Sequence, residues 1–128
     1  MTDVAAALIW KEDRFLICRR PAHKARALLW EFAGGKREAG ESLEECLIRE
    51  CREELDVGIE VLDLFARVRH DYPDISIRLS LFNARIVEGE PKLLEHEALA
   101  WILPSEIDKY EFCPADYDIL EKLKKTGR

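Results

Sequence analysis

Apolar positions along the chain form short runs broken by polar turns, with one longer stretch at helical spacing. Val4 to Trp10 and Arg14 to Cys18 are short apolar runs, and Lys11-Glu12-Asp13 between them predicts a β-hairpin. Pro21 to Leu28 is rich in basic residues and reads as a loop. Trp30 to Phe32 follows as a short strand ending at Gly34-Gly35. Ser42 to Leu55 predicts the central helix: Ser42 is a good N-cap, Glu45 completes a capping box, and Gly58 supplies a stop. Strands are expected over Ile59 to His70 and Ser76 to Val87, with a turn through His70-Asp71-Tyr72-Pro73-Asp74 between them. Gly89-Glu90-Pro91 marks a loop, Ala98 to Leu103 a further strand, and Pro104 to Ile107 a helical turn. Asp116 to Lys125 reads as the closing helix. This order predicts an α+β fold with a mixed sheet and a helix on each of its faces.

The central helix breaks the usual rule of polarity. Stepping about 100° per residue from Leu43, the side chains of Cys46, Leu47, Ile48, Cys51 and Leu55 share one arc. Glu50 and Glu54 fall inside that arc, and Glu53 lies on its border beside Arg49. Glu44 falls there too, but in the first turn, where a carboxylate serves the helix dipole. Carboxylates on an inward face are costly unless paired or bound to a metal, and three together raise one another's pKa. A hard divalent cation with oxygen ligands resolves both problems. The plainer reading is a solvated helix face laced with ion pairs.

Composition narrows the classes. The chain has 128 residues, 48% of them hydrophobic, which suits a single domain over 1–128 with a real core. No apolar run is long enough for a membrane span, and the N-terminus reads as a strand rather than a signal peptide. The expected compartment is the cytoplasm. Cys18, Cys46, Cys51 and Cys113 form no metal-binding spacing and are expected to be reduced and buried. A formal net charge of −6 argues against duplex nucleic acid as a partner. A small anion is still allowed, because a metal ion reverses the local sign.

Glycines flank the helix entrance. Gly34-Gly35 precedes the loop, Gly40-Glu41 leads into the helix, and glycine lets backbone approach a ligand closely. Gly35 is followed after five residues by Glu41, and after seven more by Arg49-Glu50-Cys51-Arg52-Glu53-Glu54. This resembles the Nudix box, the signature of the Nudix hydrolase family. Two positions depart from the family pattern: Asp56 stands where the box ends in glycine, and Ala33 where relatives often carry proline.

The resemblance implies an α/β/α sandwich and a Mg²⁺-dependent hydrolase, with Mn²⁺ able to substitute. It makes Glu50, Glu53, Glu54 and the Gly35 carbonyl metal ligands, Arg49 the residue that orients the glutamates, and Gly34 and Glu41 structural parts of the box. Glu50 and Glu95 are alternative general bases. Glu95 precedes Trp101 in a loop where MutT-like members place an extra metal-binding glutamate, and Glu97 is the weaker choice. The plain alternative for Glu95 is an ordinary loop acid.

The resemblance extends to MutT-like members beyond the box. Trp30 to Lys36 looks like their entry to it, and Phe112-Cys113-Pro114-Ala115-Asp116 looks like their base-reading segment. Asp116 is similar to the CTP pyrophosphohydrolase type, where the 8-oxo-dGTP type usually has Asn. An ionised Asp only accepts hydrogen bonds, so it favours an exocyclic amino group or the guanine N–H donors; otherwise Asp116 caps the last helix. Arg20 and Lys36 are placed to meet phosphate or sugar, Tyr72 to stack on a base, and His23 and Lys24 to steer phosphates. Each has a plain reading as a surface or rim residue, and Trp10, Trp30 and Trp101 are expected in the core. The implied activity is nucleoside triphosphate pyrophosphohydrolysis by a monomer or homodimer. Alternatives are another nucleoside diphosphate derivative as substrate, a catalytically silent nucleotide-binding domain, or an acidic domain that only binds divalent ions.

Overall fold

Strand β1 (Thr2–Lys11) changes neighbour along its length, and the rest of the sheet follows from that change. One edge runs parallel to β6 (Ser76–Glu88) from Thr2 opposite Ile77 to Ile9 opposite Ala84. The other edge is shared. β4 (Ala33–Lys36) lies antiparallel to Val4 through Ala7, while β2 (Arg14–Arg19) pairs only at Trp10 and Lys11. β2 then carries β3 (Trp30–Glu31) and β7 (Ala98–Ile102), both antiparallel. β5 (Gly58–Asp71) lies antiparallel to β6, with register breaks between Val61 and Ala66. The computed structural model describes residues 1–127.

β1 is apolar almost throughout because both of its faces are covered. Ala5, Ala7 and Ile9 point into one core, and Ala6, Leu8 and Trp10 into the other, as the two-residue period requires. Helix α1 (Leu43–Leu55) seals the first with Cys46, Leu47, Cys51 and Leu55. Helix α2 (Tyr117–Thr126) seals the second with Ile119, Leu120 and Leu123. This is the expected mixed sheet between helices. Among the described residues no helix is long and apolar enough to cross a membrane.

The capping box at α1 forms as expected: the Glu45 N–H donates to Ser42 Oγ at 3.0 Å, and the Ser42 N–H to Glu45 Oε1 at 2.8 Å. Its end differs. The stop is Asp56, in left-handed backbone at φ 54° and ψ 44°, and Gly58 instead begins β5. Ile48, expected inward, is 46% exposed, because the buried stripe is narrower than the arc drawn from spacing. The strand expected over Trp30 to Phe32 is two strands broken at Phe32, and Gly34-Gly35 lie inside β4. Glycine is needed there because Gly34 sits at φ 153°, where a Cβ would overlap the Ala5 carbonyl of β1. The close β1–β4 approach thus fixes where the following loop leaves the sheet.

Candidate active site

The junction of β4, the loop 37–42 and α1 brings the box together. Gly35 lies against the Glu50 carboxylate so closely that a Cβ at position 35 would fall 2.6 Å from both carboxylate oxygens. One turn further along α1, Glu54 is only 7% exposed, and its Oε1 accepts the Gly34 N–H at 3.1 Å. Burial pushes the Glu54 carboxyl up to about 9, against the lowering effect of that N–H and with help from nearby Glu50. Burial also raises Glu50, even though Arg49 opposes it. Glu53 is on the rim, with a side chain 52% exposed. The inward placement expected for Glu50 and Glu54, and the border placement of Glu53, are what the helix presents.

Arg49 is the hub of this cluster. Its Nε and Nη2 donate to the two Glu41 oxygens at 3.1 and 2.7 Å, a forked pair. Its Nη1 donates to Glu50 Oε1 at 2.9 Å and reaches Glu53 at 3.3 Å. Nη2 also donates to the Lys36 carbonyl, tying the loop to the helix. The bond from Arg49, seconded by the Glu38 N–H, holds the Glu41 carboxyl down to about 2. Glu41 therefore fixes Arg49, and Arg49 fixes the glutamates. Among the described residues no three carboxylate, thiol or imidazole groups stand close enough to cage a metal; the Arg49 guanidinium occupies the middle of the carboxylates.

Glu95 approaches from the segment before β7. It is near enough to raise both Glu50 and Glu54 by its charge, and its own partner is Lys24 at 3.8 Å. Lys36 is exposed at the end of β4, and His23 is exposed in the loop after β2. The three tryptophans pack against the two cores, as expected.

A second polar cluster lies beyond the glutamates. Glu31 sits at its centre: Oε1 accepts Arg20 Nη1 at 2.9 Å, and Oε2 meets His96 Nε2 at 3.1 Å. His96 is buried, and its Nδ1 has no hydrogen-bond partner among the described residues. Asp116 is 4% exposed and makes no capping bond to α2, so the helix-cap reading does not hold. Burial pushes its carboxyl well above the usual range, aided by Glu31 and opposed by Arg20. Burial thus works against the ionised, acceptor-only form expected of Asp116 and favours the protonated form, which carries both a donor and an acceptor. The Tyr72 hydroxyl accepts the Ala115 N–H at 2.9 Å, and the Arg26 guanidinium lies over its ring at 4.0 Å. Glu31, His96 and Arg26 were not legible as site residues. The signal available was weak, because a glutamate in a strand and an arginine in a basic loop are ordinary until pairing places them.

A model of the NUDIX domain matches residues 4–122. The chain is 38% identical to the CTP pyrophosphohydrolase of Escherichia coli K12, over 94% of this chain and 90% of that protein. It is 32% identical to the 8-oxo-dGTP diphosphatase of the same organism, over 96% of each. Among solved structures, the crystal structure of a MutT protein from Methanosarcina mazei Go1 superposes with a TM-score of 0.87 at 26% identity, over 99% of this chain and 95% of that one. The box residues gathered between β4 and α1 therefore sit in a sequence and a fold that agree along almost their whole length, and the chain belongs to the Nudix hydrolase family, among its MutT-like members.

Proposed function

We propose that this protein is a divalent-metal-dependent nucleoside triphosphate pyrophosphohydrolase, converting a nucleotide and water into a nucleoside monophosphate and pyrophosphate. The observation that carries the reading is the pair Glu50 and Glu54, drawn into the protein beside Gly35, with Glu54 accepting the Gly34 N–H. A buried and a half-buried carboxylate side by side call for positive charge. The donors are all oxygens, the ligand type a hard cation takes, and would close around it from the carboxylates of Glu50, Glu53 and Glu54, the Gly35 carbonyl, and Glu95 in the segment before β7, which stand too far apart here to cage it by themselves. Mg²⁺, or Mn²⁺ in its place, supplies positive charge against the phosphate oxygens at this position.

The chain's own residues do the rest. Arg49 holds the carboxylates in register, and Glu41 holds Arg49. Glu50 accepts the proton of the attacking water, a role that suits a half-buried carboxylate better than the exposed Glu95. Arg20 and Lys36 meet phosphate or sugar, and Tyr72 and Asp116 frame the base. In the protonated form that burial favours, Asp116 accepts from an amino group while donating to a neighbouring ring nitrogen, a match for cytosine N4 and N3. The names of the relatives support a nucleotide substrate, cytosine or oxidised guanine. The reading places the protein in the cytoplasmic nucleotide pool.

The test is pyrophosphate release with Mg²⁺ from CTP, dCTP, 5-methyl-dCTP, 8-oxo-dGTP, 2-hydroxy-dATP and ADP-ribose. Glu53→Gln is expected to abolish turnover, and unchanged turnover would sink the metal assignment. Cytosine nucleotides no better than the others would sink the Asp116 assignment.

A further inference from the structure

Three segments distant in sequence meet around Tyr72: the loop 20–29, the β5–β6 turn, and the segment ending at Asp116. Arg26 makes the first contact, with its guanidinium over the Tyr72 ring at 4.0 Å and its Nη1 donating to Asp74 Oδ1 at 3.0 Å. Tyr72 makes the second, its hydroxyl accepting the N–H of Ala115, the residue before Asp116. His70 packs edge-on against the same ring at 4.4 Å.

The loop is built to present Arg26. Arg26 and Leu28 both have left-handed backbone, at φ 56° and 62°, which non-glycine residues seldom adopt unless their surroundings impose it. The turn is closed from both sides: Arg20 Nε donates to the Ala25 carbonyl at 2.8 Å, and Arg19 Nε to the Leu28 carbonyl at 3.0 Å. A basic side chain waving in solvent needs none of this. Arg26 keeps only 22% of its side chain exposed.

We propose that Arg26 is a positioning residue for base recognition: through Tyr72 and Ala115 it sets where Asp116, the proposed base-reading residue, stands. This rests on the nucleotide reading above. The chain of contacts is specific at each link. The guanidinium needs the π face of the ring, and Asp74 orients it. The hydroxyl needs the Ala115 N–H. Asp116 follows Ala115 directly, so a tilt of Tyr72 is passed to its carboxyl. Among the described residues the Arg26 side chain meets Tyr72 and Asp74, away from the box, so its effect belongs to base binding rather than to the chemical step.

The experiment compares the parent protein with Arg26→Ala, Arg26→Lys, Tyr72→Phe and the double variant Arg26→Ala/Tyr72→Phe. For each, KM and kcat are measured on triphosphates of cytosine, guanine, adenine and uracil, together with the Kd of their non-hydrolysable α,β-imido analogues. The expected result is a roughly three- to ten-fold rise in KM and Kd for the preferred base in Arg26→Ala, with kcat changing far less. Discrimination between bases narrows, Arg26→Lys recovers part of it, Tyr72→Phe moves the same way, and the double variant is no worse than the poorer single one. Unchanged affinity in Arg26→Ala overturns the proposal. So does an equal loss on all four bases, a fall confined to kcat, or full additivity of the two changes. A parent that binds the analogues but releases no pyrophosphate removes the proposed activity while leaving the Arg26 argument to be decided by the Kd series. Arg26→Lys and Tyr72→Phe keep the fold and so decide the case if Arg26→Ala unfolds.

Discussion

Asp116→Asn is expected to stabilise the protein increasingly as pH rises. Asp116 is buried and its carboxyl is pushed well above its ordinary 3.8, chiefly by burial. The sign follows from proton linkage. Above pH 3.8 the unfolded chain gives up the Asp116 proton while the folded chain keeps it, so the folded state binds more protons and stability falls with rising pH. The slope for one such group is about 1.4 kcal/mol per pH unit. Between pH 4 and pH 6 this amounts to roughly 2.5 kcal/mol, provided the buried acid stays protonated across that window. Asparagine has nearly the same shape, offers both donor and acceptor as the neutral acid does, and does not titrate. The difference between the two proteins should thus be small at pH 4, larger by roughly 2.5 kcal/mol at pH 6, and still rising while the folded acid keeps its proton. Urea unfolding at half-unit pH steps, in metal-free buffer, measures it. Taking the difference cancels other buried acids, Glu54 among them. A difference that stays flat with pH would mean that Asp116 is ionised in the folded protein, and its neutral-acid role in reading a base would go with it.

Three further outcomes are expected. Gly35→Ala puts a methyl group where the Glu50 carboxylate lies, so pyrophosphate release should fall by about a hundred-fold or more while circular dichroism stays unchanged. Asp56→Gly should be within about 1 kcal/mol of the parent in urea, since it relieves left-handed backbone but loses exposed pairs to Arg52 and Lys92; Asp56→Ala keeps the strain, loses the pairs and should cost about 1 kcal/mol. His96→Ala removes one partner of Glu31 and leaves a cavity, and should lower stability by about 2 kcal/mol, read as the urea midpoint at constant slope.

Asp56 shows how a departure from a family pattern is accommodated. The helix must end in left-handed backbone, which glycine adopts freely and Asp more readily than most residues. Lys92 then approaches the Asp56 carboxylate at 3.0 Å, and the Lys92 N–H donates to the Leu55 carbonyl. A local cap thereby becomes a tie to the segment before β7, a consequence invisible in the spacing alone.

What the sequence determined by itself was periodic or local. The short apolar runs of β1 and β2, the capping box at Ser42 and the helical spacing of Glu50 and Glu54 against Cys46, Leu47 and Cys51 are set by neighbours within a few residues, so they could be read directly. The box spacing carried the family resemblance for the same reason. Only the tertiary structure decided the rest. The split of β1 between β4 and β2, the depth of Glu54, the burial of Asp116 and the meeting of Glu31 with Arg20 and His96 bring distant segments together, Glu31 and His96 from 65 positions apart. Burial and long-range pairing, which change a carboxylate from a charged surface group into a neutral acid or a cation's partner, depend on every element that covers it, and no stretch of the chain records them alone.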